Sequence, residues 1–251
     1  MPNGYTRGEV DKTLFIKNED GNLMIAQIYV DDIIFGGMSN KMVDLFVRQM
    51  QSKFKMSMVG ELNFFLGFQI RQMNDGIFIS QIKYAKNIVK KFGLEKSSHQ
   101  RTPAATHVKL TKDELGESVD QSLYRSIIGN LLYLTASCPD IAYYVGVCAR
   151  YQANPKASHL SQAKRIVRYI SGTADFGLLY TFDTSSTLVG YCFAHWAGSS
   201  VDRRSISGGC FYLGNNLISW FIKKQNCISL STAESKYIAA GSSCTQLLWM
   251  K

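Results

Sequence analysis

The chain has 251 residues, 46% hydrophobic and 19% charged, a balance that fits a globular protein and excludes disordered and collagen-like classes. Lys and Arg number 28 against 19 Asp and Glu, and the resulting formal charge of +9 points to a polyanionic partner. Six Cys without a C-x-x-C pair exclude a zinc ribbon or a small disulfide framework, and favour reduced thiols in an intracellular, reducing compartment.

Residues 1–96 read as a first unit. Thr13–Ile16 and Leu23–Val30, separated by Glu19-Asp20-Gly21-Asn22, have the pattern of a β-hairpin. Asp31-Asp32 follow directly, and Ile33-Ile34-Phe35 resumes apolar character before Gly36-Gly37. A second hairpin pivoting on Asp31-Asp32 is therefore expected. Ser39 or Asn40 caps a helix to about Phe54, with Val43, Phe46, Val47 and Met50 on one face. Leu62–Arg71 and Gly76–Ser80 read as strands joined through Asn74-Asp75-Gly76. A helix over Gln81–Phe92 places Ile82, Ala85, Ile88, Val89 and Phe92 inward, carries Lys83, Lys86, Lys90 and Lys91, and ends at Gly93.

Residues 97–184 read as a helical second unit, opening with a polar segment from Ser97 to Glu117. Helices are expected over Asp120–Ala136, Pro139–Ala153 and Ala157–Ile170. Leu123, Ile127, Leu131 and Leu134 line one side of the first. The third carries Lys164, Arg165 and Arg168 on a face expected to be exposed, and His159 reads as a helix-start or surface residue. Residues 185–251 form a third unit, with strands over Leu188–Ala194, Ser205–Leu213 and Leu217–Ile222 and a short strand at Ser229–Leu230. Ser231 or Thr232 then caps a helix to about Leu248. So few strands with one helix leave a sheet face open, so this unit reads as cut short. No secretory h-region is visible, and no apolar stretch is long enough to span a bilayer, so no membrane role is expected. The expected class is α+β.

The sharpest chemical signal is Tyr29-Val30-Asp31-Asp32. Adjacent carboxylates between apolar strands are costly unless a cation sits there, and paired divalent metals can clamp both oxygens of a phosphoryl transfer. On spacing alone a plain Asp turn explains the motif about as well. Lys83, Lys86, Lys90 and Lys91 on one helix, and Lys164, Arg165 and Arg168 on another, are candidates for phosphate contacts. Tyr169, Trp196 and Trp220 are candidates for base stacking if exposed. Solvated helix faces and core aromatics are the plain alternatives. No nucleophile-elbow signature appears, and His195 has no second metal ligand at a useful spacing.

Tyr29–Asp32, with Leu23–Gly36 around it, resembles the catalytic hairpin of reverse transcriptases. Gly60-Glu61-Leu62 with Phe64-Phe65-Leu66-Gly67-Phe68 is similar to the segment that grips the primer strand. Leu123–Gly129, Pro139-Asp140-Ile141, His159 with Lys164–Tyr169, and Leu230-Ser231-Thr232-Ala233-Glu234 extend the likeness along nearly the whole chain. The chain is identified as resembling the downstream part of the Pol polyprotein of copia-type LTR retrotransposons. The resemblance implies the end of a reverse-transcriptase palm over residues 1–96, a helical thumb or connection over 97–184, and an incomplete RNase H-like unit over 185–251. It also implies Mg²⁺ and an RNA–DNA hybrid or duplex as partner.

The family's active sites carry over only in part. A palm needs a third carboxylate from a strand upstream, and nothing before Asp31 resembles that strand; Asp11 and Asp20 sit in loop or turn sequence. The family's RNase H strand reads Ser-Asp-Ala-Asp-Trp where this chain has Cys192-Phe193-Ala194-His195-Trp196. Its helix reads Ala-Glu-Ala-Glu where this chain has Ala233-Glu234-Ser235-Lys236. Phe193, His195 and Lys236 thus stand at degenerate ligand positions, with Glu234 retained. The expectation is a chain catalytically inactive alone, holding Mg²⁺ weakly through Asp31 and Asp32 if at all. The alternative is a non-catalytic nucleic-acid-binding or interaction protein derived from the element.

Overall fold

Leu14–Gly37 alternates between inward and outward side chains, and in the computed structural model, which describes residues 2–105, 110–199 and 201–251, it folds as antiparallel strands. The chain divides into two units, Met1–Leu62 and Asn63–Lys251. In the first, β1 (Thr6–Arg7), β2 (Leu14–Glu19), β3 (Asn22–Tyr29) and β4 (Asp32–Gly37) pair in chain order. Across β3 and β4, Ile28 faces Ile33, Ala26 faces Phe35 and Met24 faces Gly37, which puts these apolar side chains on one face. Helix α1 (Asn40–Lys53) buries Met42 and Phe46 there, with the Phe46 ring 5.0 Å from Phe35 and 5.9 Å from Tyr5. Burial of these groups is the main source of stability of this unit.

In the second unit, β5 (Phe64–Phe65), β6 (Phe68–Gln72), β7 (Gly76–Ser80) and β8 (Gly177–Thr181) form an antiparallel sheet in that order. The single strand expected over Leu62–Arg71 is corrected. The chain reverses at Leu66-Gly67, where both residues have positive φ, 48° and 82°, the arrangement of a tight hairpin turn. Tyr133 Oη donates a hydrogen bond to the Leu66 carbonyl and holds this turn. Strand β8 has no counterpart among the elements expected from sequence; it pairs with β7, far away in the chain, from Gly76 opposite Thr181 to Ser80 opposite Gly177.

Helices α2 (Ile82–Lys91), α3 (Gln121–Leu134), α4 (Pro139–Ala149) and α5 (Ala157–Thr173) enclose the main core. Gly93, at φ 66°, ends α2: its N–H bonds the Lys90 carbonyl and Leu94 N–H bonds that of Val89. Asp120 caps α3 by accepting from Ser122 N–H at 2.8 Å. On α3, Tyr124, Ile127, Ile128, Leu131 and Leu134 are buried, whereas Leu123, expected inward, is 38% exposed because Tyr124 takes the inward position. His159 stands in the first turn of α5, the helix-start position that is one of the two expectations from sequence, but in the core and not at the surface. It is fully buried, stacks on Tyr151 at 4.0 Å, accepts from Lys156 N–H through Nδ1 and reaches the Thr111 carbonyl through Nε2.

Strands β9 (Leu188–His195), β10 (Ile206–Leu213) and β11 (Asn216–Lys224) form an antiparallel sheet in the order β11-β10-β9, and α6 (Thr232–Met250) packs on it. The short strand expected at Ser229–Leu230 is absent. Ser229 Oγ instead donates to Gln225 Oε1, and Gln225 Nε2 bonds Ser207 Oγ and the Ser235 carbonyl, a buried network that fixes the start of α6. Asp202 accepts from Lys224 Nζ at 2.7 Å, and this contact holds its carboxyl well below the ordinary range.

Candidate functional site

The β3–β4 hairpin turns on Val30-Asp31, with Tyr29 and Asp32 as its closing pair. Val30 has φ 53°, a strained state for a β-branched residue, and such strain concentrates where a site over-determines the backbone. Asp31 and Asp32 are exposed, and neither is in a salt bridge among the described residues. By alternation, Asp32 lies on the sheet face opposite α1. Gln27, two residues before Tyr29, donates to Asp11 Oδ2 at 3.0 Å, and Thr13 donates to Asp11 Oδ1 through its backbone and hydroxyl. These bonds, the Thr13 hydroxyl first, lower the pKa of Asp11. Among the described residues no group of three or more His, Cys, Asp or Glu side chains could hold a metal ion.

Lys83, Lys86 and Lys90 lie at i, i+3 and i+7 on α2, opposite the buried Ala85, Ile88 and Val89, and all four α2 lysines, Lys91 included, are exposed. Lys83 Nζ lies 6.0 Å from the centre of the exposed Phe64 ring on β5, so cation and aromatic face meet at one edge of this surface. The second basic set is not on an open face, which corrects the expectation from sequence: Lys164, Arg165 and Arg168 are half-buried. The segment from His99 to Pro103 runs along α5 in the opposite direction and covers the face that carries Arg165 and Arg168. Gln162 Nε2 donates to the Pro103 carbonyl, Arg165 donates to Thr102 Oγ1 at 3.0 Å, Gln100 N–H bonds the Arg168 carbonyl, and His99 packs on Gly172. Polarity and the lone Pro103 concealed this strap in the sequence, because a loop's packing partner leaves no periodicity.

Of the aromatic candidates, Tyr169 donates to Asp140 Oδ2 at 2.6 Å, and Trp196 Nε1 donates to the Ser229 carbonyl at 3.0 Å. Burial, with the Asp140 hydrogen bond second, pushes the Tyr169 phenol up to about 12. Trp220 is half-buried on β11.

On the third sheet, a Cβ on Gly190 would meet Leu247 of α6, so the alternate positions Tyr191, Phe193 and His195 face away from that helix. Phe193 lies across Gly208 on the neighbouring strand, and His195 Nδ1 stands 3.1 Å from Tyr143 Oη of α4. Glu234 accepts from Leu230 N–H at 2.6 Å while its own N–H bonds Ser231 Oγ, so its carboxylate is engaged in the helix start. Lys236 is exposed on α6. The fold therefore points Phe193 and His195 to one side of the sheet and carries Glu234 and Lys236 on the helix packed against the other.

Residues 1–106 match the family model described as reverse transcriptase (RNA-dependent DNA polymerase). An uncharacterized mitochondrial protein of Arabidopsis thaliana is 35% identical over 227 residues, covering 90% of this chain and 94% of that protein. The retrovirus-related Pol polyprotein from transposon RE2 of Arabidopsis thaliana is 29% identical over 247 residues, 98% of this chain and 17% of the polyprotein. That from transposon TNT 1-94 of Nicotiana tabacum is 30% identical over 257 aligned residues, 98% of this chain and 19% of the polyprotein. The chain spans under a fifth of the length of these two polyproteins. No solved structure matches it.

Reverse transcriptases generally use divalent metals, and hard cations of that kind want several oxygen ligands. Two adjacent, exposed carboxylates on a turn, with Asp11 already bonded to Thr13 and Gln27, do not fit a paired-metal centre. On β9 and α6, Phe193, His195 and Lys236 offer no oxygen ligand, and the Glu234 carboxylate is engaged at the helix start, so these residues fit one no better. No helix among the described residues is long and apolar enough to cross a membrane.

Proposed function

This chain belongs to the Pol family of copia-type LTR retrotransposons, and on that premise we propose that it is a reverse-transcriptase-derived module that binds nucleic acid and, by itself, neither polymerises nor cleaves it. In this reading residues 1–96 supply the palm hairpin, 97–184 the thumb or connection, and 185–251 an RNase H-like unit. The observation that carries it is the donor count: Asp31 and Asp32 stand at the hairpin tip without a third ligand among the described residues. Mg²⁺ is the ion the family implies, and Asp31 and Asp32 alone would hold it weakly.

Binding rests on the charge of +9 and on the exposed stripe of Lys83, Lys86, Lys90 and Lys91 beside Phe64. Cationic groups along a helix neutralise phosphates without reading sequence, and an aromatic face beside them takes an unpaired base. The phosphates of an RNA–DNA hybrid or duplex, the partner the family implies, suit the lysine stripe, and Phe64 would meet an unpaired end of either. The test is an electrophoretic shift with a short hybrid across a salt series. The complex is expected at low salt, with log affinity falling linearly in log salt with a slope of about 0.9 per phosphate contacted. Absence of any complex at low salt would remove the binding role.

A further inference from the structure

Three buried side-chain polar atoms lack a hydrogen-bond partner among the described residues, and two of them are Arg165 Nε and Arg168 Nε, one turn apart on α5. A guanidinium needs acceptors for all its N–H groups, and burying one unpaired costs more than an ordinary missing hydrogen bond. Neither α5 nor the strap supplies a compensating carboxylate. From Ala157 to Thr173 the sequence has Lys164, Arg165 and Arg168 and no Asp or Glu, and from Lys96 to Lys112 it again has no acid but carries Arg101 in the strap and Lys96 just before it. Among the described residues no carboxylate pairs with either arginine. Yet the strap is bonded down onto this positive face at Gln100, Thr102 and Pro103. Like charges brought together and partly desolvated raise the energy of the seam unless an anion joins them.

We propose that the seam between the 97–105 strap and α5 is a phosphate site. Arg165 and Arg168 grip one phosphodiester group of a nucleic-acid strand there, and the strap closes over it. Guanidinium groups suit this task because the planar fork gives two parallel N–H···O bonds to one phosphate. Thr102 Oγ1, 3.0 Å from Arg165, aims that side chain, and exposed Arg101 stands next to it in the strap. The site differs from the α2 lysine stripe, which is an open face of ammonium groups; here the cations are half-buried and roofed. The inference deepens the nucleic-acid reading above and rests on it for the identity of the strand, while the anion chemistry stands on the seam alone.

The test uses the full chain, a short RNA–DNA hybrid and inorganic phosphate as separate probes at fixed ionic strength. Trypsin cleavage after Arg101 reports closure of the strap, and hybrid affinity reports the grip. Cleavage is expected to slow on adding hybrid. Arg165→Gln with Arg168→Gln is expected to abolish that protection, weaken hybrid binding roughly 10-fold near 0.1 M salt and flatten the salt slope by about 0.9, the loss of one phosphate contact. Arg165→Lys with Arg168→Lys keeps the charge and is expected to keep the slope while losing affinity. Protection by phosphate without hybrid binding would retain the site, assign it a free phosphate and defeat the strand reading. Hybrid binding unchanged in the Gln variant would leave the nucleic-acid reading standing and overturn the seam. Wild-type cleavage unaffected by either probe would overturn it whatever the variants do.

Discussion

Replacing Lys83, Lys86, Lys90 and Lys91 together by Glu is expected to weaken binding of an RNA–DNA hybrid by about 10³- to 10⁴-fold near 0.1 M salt. Each phosphate left without its ammonium partner takes about 0.9 off the slope of log K against log salt, so four such phosphates give a factor near that size and a slope flatter by about 3.6. The reversed charges add repulsion, which makes this a lower bound. The fold should survive, since all four side chains are exposed and the helix is held by Ala85, Ile88 and Val89 on the opposite face. Far-UV circular dichroism with a salt-series binding titration checks both halves. An unchanged slope would show that α2 does not face the nucleic acid, whatever the net charge of the chain.

Tyr124→Ala is expected to destabilise the second unit by roughly 3–5 kcal/mol, lowering its unfolding temperature by about 10 °C. Tyr124 is fully buried in the core formed by α2–α5. Its hydroxyl donates to the Cys148 carbonyl at 2.8 Å, near the C-terminal end of α4, where carbonyls lack partners within the helix. The Tyr151 N–H bonds the same carbonyl, so Tyr124→Phe leaves it one partner and should cost only about 1 kcal/mol. Ring and hydroxyl are thus separable: urea unfolding of the two variants should show the cavity dominating. Burial here also pushes the Cys148 thiol up to about 12, so it is expected to stay protonated and inert toward alkylating reagents in the folded chain. A Phe variant as damaged as the Ala variant would contradict this division.

The elements that were legible in the sequence are those whose signal is local. The β3–β4 hairpin could be read from period-two alternation running into Asp31-Asp32, and it misses only by one residue, because Val30 takes the strained turn position and Asp32 opens the next strand. The lysine stripe of α2 and its Gly93 end were legible for the same reason. What stayed hidden depends on packing between distant segments. Strand β8 exists because β7 is there to pair with it, and five residues carry too little pattern to announce that. The Leu66-Gly67 reversal needed Tyr133 from α3 to hold a leucine at positive φ. His159 has the look of a surface residue on a basic helix until the Thr111 and Tyr151 neighbourhood closes over it, and Arg165 and Arg168 look exposed until the strap covers them. For the candidate site, composition and motif located Asp31, Asp32 and the basic helices. Which cations are open and which are roofed is a property of tertiary packing.

The most direct measurement is nucleotide incorporation by the purified 251-residue chain on a primed RNA template with magnesium. Too few oxygen ligands at the hairpin tip predicts no primer extension above background, even at protein concentrations that saturate the template. Extension that disappears in Asp31→Asn with Asp32→Asn would contradict this, because it would mean that these two carboxylates recruit the remaining ligands from elsewhere in the same chain.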